Sequence, residues 1–137
     1  MPGIPEQRPE FYDGLGEALI AFAEATFRLE ARNKEDHSHR EELEGLLARA
    51  RTDERRAEIE AELAVPPFPR ELGFLWQAFL RLSSRRGSTA FGPAAITWPD
   101  IDAFTRLSGL RLAAWEIELI EQLDELWLRQ GSVSSIE

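Results

Sequence analysis

Two histidines, His37 and His39, lie beside Asp36 and Glu41. An H-x-H pair among carboxylates is a ligand type for a divalent metal, but a catalytic site needs more ligands on a rigid frame. The pair falls in a charged loop that opens a helix, so the expectation is an exposed turn with no metal and no other cofactor. Two further carboxylates, Glu116 and Asp124, stand in an apolar stretch, Asp124 among Ile120, Leu123 and Trp127. A carboxylate on such a surface is costly to desolvate unless a cation or a donor meets it. Structural ion pairing is therefore expected for Glu116 and Asp124, with Arg81, Arg85 or Arg106 as partner; the other reading is that these acids reach an external basic partner. There is no Gly-x-Ser-x-Gly, no phosphate-binding loop, no H-E-x-x-H and no dinucleotide fingerprint. The glycines of Gly87-Ser88-Thr89-Ala90-Phe91-Gly92 have no lysine after them and no strand before them. No residue is assigned a catalytic role, and the chain is expected not to be an enzyme.

Composition narrows the remaining classes. With 137 residues, 43% hydrophobic and 30% charged, the chain can bury a core. It has no cysteine, which removes disulfides and thiolate metal sites and suits a reducing compartment. No run approaches the roughly 18 apolar residues of a membrane span, and the start, MPGIPEQRPEF, lacks a signal-peptide core. The expected location is cytoplasmic, with no membrane partner. A net charge of −9 repels a phosphate backbone, so no nucleic-acid partner is expected. The charge is uneven: residues 1–66 hold sixteen acidic and nine basic groups, whereas every basic group after Pro66 is arginine, a side chain suited to protein interfaces.

The elements that must position these residues read as all-α. The spacing of Leu15, Leu19, Phe22 and Leu29 predicts a helix over about 13–32. Ser38 with Glu41 reads as a capping box opening a second helix over about 38–63, antiparallel to the first. Val65-Pro66-Pro67-Phe68-Pro69 then interrupts the chain. A third helix is expected from about Arg70 to Arg85, stopped by Gly87. Thr97 as cap, Pro99 in the first turn and Asp100 near the dipole predict a short helix in which Ile101, Phe104 and Leu107 face the core, with Gly109 as its stop. A last helix runs over about 112–129. The expectation is about five helices: an acidic N-terminal antiparallel hairpin (1–65), then a compact tryptophan-rich three-helix unit (66–137).

The unit over residues 97–129 also has the outline of a helix-turn-helix reader. Its second helix begins Arg111-Leu112-Ala113-Ala114-Trp115-Glu116, which is apolar and acidic where base edges need Arg, Lys, Asn or Gln.

Residues 66–128 resemble the tail assembly chaperones of long-tailed bacteriophages and prophages. The resemblance is carried by Phe74-Leu75-Trp76 with Phe79 and Leu82-Ser83, then Arg86-Gly87, Gly92-Pro93 and Ile96. It continues through Trp98 to Ile101, Leu107-Ser108-Gly109, Leu112, Trp115-Glu116 and Leu123-Asp124. It implies a non-catalytic helper that binds the tape measure protein, recruits the major tail tube protein and is absent from the finished virion. Self-association is left open; the rival reading is a structural neck or tail adaptor subunit of the virion. Client contact is placed on Trp76, Phe79, Phe91, Trp98, Trp115 and Trp127. Core packing is the competing role for Trp76, Phe79 and Trp115, while Phe91 and Trp98 are the better candidates for exposure.

Overall fold

A computed structural model of the chain describes residues 10–136, with side chains described over 13–130. Among the described residues there are six α-helices: α1 (Glu10–Glu30), α2 (His39–Arg49), α3 (Asp53–Leu63), α4 (Gly73–Ser84), α5 (Trp98–Ser108) and α6 (Ala114–Ile136). A 3-10 turn, Arg70–Leu72, leads into α4, and a two-stranded ribbon, β1 (Ser88–Thr89) with β2 (Gly92–Pro93), follows it. The protein is all-α apart from that ribbon.

The turn from α1 to α2 is closed locally. Asn33 Oδ1 accepts the Glu35 and His37 amides at 2.9 and 3.0 Å, and Asp36 takes a left-handed φ of 65°. Ser38 Oγ accepts the Glu41 amide at 3.1 Å while Glu41 reaches back to the Ser38 amide, completing the capping box. His37 is thus an exposed member of a tight turn. No group of three or more His, Asp or Glu that could hold a metal occurs among the described residues.

The single helix expected over 38–63 is two helices. Ala50 leaves helical geometry (φ −66°, ψ 132°), and Thr52 restarts the helix by accepting the Arg55 amide at 3.0 Å. The reason lies in what the apolar residues must cover. Leu29 of α1 is fully buried with Leu43 from α2 and Ile59 from α3, and a continuous rod would hold those two side chains about 24 Å apart along its axis. Folding α3 back on α2 brings both onto Leu29. Arg28 then donates to the carbonyl of Glu62 at 3.3 Å, one of the acceptors a helix end leaves free.

The larger core draws on both sides of the prolines. Leu19, Ala23 and Phe27 of α1 pack with Leu75, Ala78, Phe79 and Leu82 of α4, Ile101 of α5, and Trp115, Leu119, Ile120, Leu123 and Leu126 of α6. The interruption at Pro66 is therefore not a division of the core. It carries Phe68 into the α1–α4 seam, where its ring meets Phe22 at 5.0 Å and Trp76 at 6.2 Å. Three local expectations are corrected. Helix α4 ends at Ser84, capped by Arg85 rather than stopped by Gly87. Leu107, assigned to the core of α5, is exposed, because α5 turns its 101–104–105 side inward. The glycine loop holds a short ribbon, its Gly92 φ of 130° being open to glycine.

Candidate functional site, an apolar groove between α5 and α6

On α5, Trp98, Ile101, Asp102 and Thr105 follow the i, i+3, i+4, i+7 spacing that puts side chains on one helical face. That face forms one wall of an open groove. Leu110, Arg111 and Leu112, in the turn after α5, and Ile117 of α6 form the other, with Arg106 on the rim. Each wall is held by local chemistry. Thr97 and Asp100 exchange hydrogen bonds in a second capping box, the Thr97 amide to Asp100 Oδ2 at 3.0 Å and the Asp100 amide to Thr97 Oγ1 at 3.3 Å. Gly109, at φ 76°, ends α5 in the left-handed conformation and lets the chain reverse into the Leu110–Leu112 wall. Glu116 accepts the Ala113 amide at 2.7 Å and so closes the start of α6.

Trp98 is the prominent feature. It remains 72% exposed, yet its indole N–H donates to Glu121 Oε2 at 2.8 Å, which fixes the ring in the groove lining. The rim carries charges of both signs, Asp102 against Arg106 and Arg111, with Glu121 holding Trp98. Arg106 pairs with Asp102 at 3.3 Å, and Arg111 stands beside them exposed to solvent.

The hydrogen bonds from Thr97 hold the Asp100 carboxyl below the usual carboxylate value of 3.8. A folded-state value below the unfolded one means the cap contributes fully above the unfolded value and fades as pH falls through the folded one. The melting temperature of wild type should therefore exceed that of Asp100→Asn at neutral pH, with the gap closing below about pH 4. A gap independent of pH across thermal melts would refute the ionic cap.

The approach to Trp98 is anchored by a buried ion pair. Arg86 Nη2 lies 2.6 Å from Asp124 Oδ1, and the two side chains are only 6% and 7% exposed. Asp124 Oδ1 accepts no hydrogen bond of good angle, so the guanidinium answers it by charge, while Oδ2 accepts the Ile96 amide at 2.9 Å. The same guanidinium donates to the Ala94 carbonyl at 2.9 Å and to Ser83 Oγ at 2.9 Å, and it lies 3.9 Å from the centroid of the Trp127 ring. One cation thus ties the end of α4, the strand-like segment before α5, and α6.

The six aromatic candidates are dispersed. Phe79 and Trp115 are buried in the core, and Trp76 is half-buried in an aromatic cluster, stacked on Phe27 at 5.7 Å. Trp127 is half-buried beneath Arg86, and Phe91 is 99% exposed at the ribbon tip and does not line the groove. Only Trp98 lines the groove. Asp124 is ion-paired, but with Arg86 and not with the three arginines expected: Arg81 lies over the Phe104 ring at 5.2 Å, Arg106 holds Asp102, and Arg85 caps α4. Glu116 serves as a helix cap, accepting the Ala113 amide. Sequence reasoning missed Leu110, Leu112 and Ile117 as a surface; their only signal was apolar residues flanking a glycine turn.

Fold and groove together define a helical protein with an open apolar trough lined by a fixed tryptophan. A family model described as phage tail assembly chaperone matches residues 51–129, more than half of the chain, and the protein belongs to that family. No curated protein and no solved structure matches it. The matched stretch runs from the turn before α3 to Arg129 within α6 and contains the whole groove, the ribbon and the Arg86–Asp124 pair. None of the described helices is long and apolar enough to cross a membrane.

Proposed function

We propose that this protein is a non-catalytic chaperone of phage tail assembly that lays an amphipathic helix of the tape measure protein into the α5–α6 groove and helps bring tail tube subunits to it. The observation that carries the reading is Trp98, an exposed indole locked by Glu121 in the lining of an apolar trough. Helix-in-groove recognition needs such a preformed apolar channel, and an aromatic anchor held in place spares the ordering cost of binding. The apolar stripe of a client helix would meet Ile101, Leu110, Leu112 and Ile117, with Arg106 and Arg111 facing its carboxylates. The net charge of −9 would keep the complex soluble in the host cytoplasm.

Co-expression with the tape measure protein of the same phage tests this. Wild type should co-purify with it and raise its soluble yield, and Trp98→Ala should weaken capture by roughly 30-fold, the loss of one aromatic anchor. Trp98 is outside the core, so the variant should melt within a few degrees of wild type. A wild-type protein that neither captures nor solubilises the client, or a Trp98→Ala variant that does so equally well, would overturn the reading.

A further inference from the structure

Three residues of α6, Ile117, Glu121 and Asp124, stand at i, i+4 and i+7 on one helical face, and all three face α5 or the segment that leads into it. Ile117 lines the groove together with Trp98, Glu121 accepts the Trp98 indole N–H, and Asp124 Oδ2 accepts the Ile96 amide at 2.9 Å. Little else fixes the approach to α5. Ala94 and Ile96 are half-buried, Ala95 and Thr97 are open to solvent, and Ile101 is the buried residue of α5 itself. Trp98 has little hold of its own. Its ring is largely exposed, and an indole bonded to a carboxylate that water also reaches gains only slightly over hydration.

Asp124 is placed differently. Its side chain is 7% exposed, and the amide it takes lies two residues before Trp98. Between them stands Thr97, whose backbone is set by the capping box with Asp100 (φ −100°, ψ 162°). A shift at Ile96 is therefore carried on to Trp98 and not absorbed on the way. The carboxylate is itself held by Arg86, which also donates to the Ala94 carbonyl, two residues before Ile96. We propose that Asp124 is a positioning residue for Trp98: by taking the Ile96 amide it sets the register of the entry to α5 on α6, and with it the place of the indole in the groove lining. Its consequence for binding rests on the reading of Trp98 as the client anchor, whereas the placement itself is read without a client.

The variants Arg86→Met/Asp124→Leu and Arg86→Met/Asp124→Asn separate position from stability. Both lack the guanidinium. The first leaves the Ile96 amide without an acceptor, and the second returns a carbonyl oxygen to it while stranding no charge. In proton–nitrogen correlation spectra of the full chain without client, the Trp98 indole N–H is identified by its loss in Trp98→Phe. With Asp124→Asn it should stay close to its wild-type shift. With Asp124→Leu it should move toward its shift in Glu121→Ala, where the carboxylate is gone, and exchange with water roughly tenfold faster, as the loss of one hydrogen bond implies. Ile96→Pro removes the same bond from the donor side and leaves Arg86 on Asp124, so it should show the same change without disturbing the buried pair. An indole unmoved by Asp124→Leu or by Ile96→Pro, or displaced as far by Asp124→Asn as by Asp124→Leu, would overturn the proposal. In the co-expression test, capture of the client should be roughly tenfold weaker with Asp124→Leu than with Asp124→Asn. An indole displaced with capture unchanged would support the positioning and count against Trp98 as the anchor, so the two readings fail separately.

Discussion

Arg86→Ala should lower the melting temperature by on the order of 10 °C, the largest loss expected from any single polar substitution in this chain. The estimate comes from the surroundings of the guanidinium. It is 6% exposed and faces Asp124 at 2.6 Å, so its removal strands a buried carboxylate, which costs about 3–5 kcal/mol. At roughly 3 °C per kcal/mol for a chain of this size, that gives the stated shift. The Ala94 carbonyl and Ser83 Oγ lose their donor and the Trp127 ring loses its cation as well. The double variant Arg86→Met/Asp124→Leu should be more stable than Arg86→Ala by about 2 kcal/mol, because an apolar pair of similar volume removes the stranded charge. It should not exceed wild type, since the Ile96 amide then lacks its acceptor, a deficit of about 1–3 kcal/mol. Chemical denaturation of the three variants gives the ordering directly. If Arg86→Ala proved as stable as wild type, or less impaired than the double variant, the pair would not be the buried anchor described here.

Phe79→Ala should cost a similar amount, about 3–5 kcal/mol, for a different reason. Phe79 is fully buried where α1 and α4 meet, its ring 5.8 Å from that of Phe27 and 6.1 Å from that of Trp76. Truncation opens a cavity that stiff neighbouring rings fill poorly. Phe79→Leu, which keeps most of the volume, should cost less than half as much. The contrast with Trp98 separates stability from binding. At low temperature, where Phe79→Ala is still mostly folded, it should capture the tape measure protein per folded molecule as wild type does. Trp98→Ala should melt close to wild type and capture poorly. If Phe79→Ala lost capture while fully folded by circular dichroism, the client surface would include the α1–α4 seam and not the groove alone.

These two residues also show where reading from the sequence succeeds and where it stops. Features that depend on residues within one helical turn were legible: the Ser38–Glu41 box, the cap at Thr97 with Asp100 beside it, and the reversal at Gly109. Each is a contest between a side chain and its own nearby backbone, so distant residues hardly enter. The fold class followed from periodicity, and the family from spaced Trp, Gly and acidic residues, now supported by the match over residues 51–129. The need of Asp124 for an arginine was legible too, because a carboxylate among leucines demands compensation wherever it lies.

Which arginine would answer was not legible. Arg81, Arg85 and Arg86 lie within six residues, and the angle at which the chain leaves α4 decides which one turns inward. The break at Ala50 was hidden in the same way. Thr52 is a competent cap, but a cap contributes only about 1 kcal/mol, similar to what continuing a helix through polar residues yields. Covering Leu29 from two sides tipped the balance.

By itself, then, the sequence determined the helical class, the caps at Ser38–Glu41 and Thr97–Asp100, the acidic composition and the kinship with phage tail assembly chaperones, because these rest on short-range geometry and composition. Tertiary structure alone decided that α1 shares a core with α4 and α6, that Arg86 meets Asp124, and that Trp98, Ile101, Leu110, Leu112 and Ile117 line one groove while Phe91 stands free. The physical reason is that burial is a property of the assembled molecule. Identical apolar spacing serves a core or a groove, depending only on whether another element arrives to cover it.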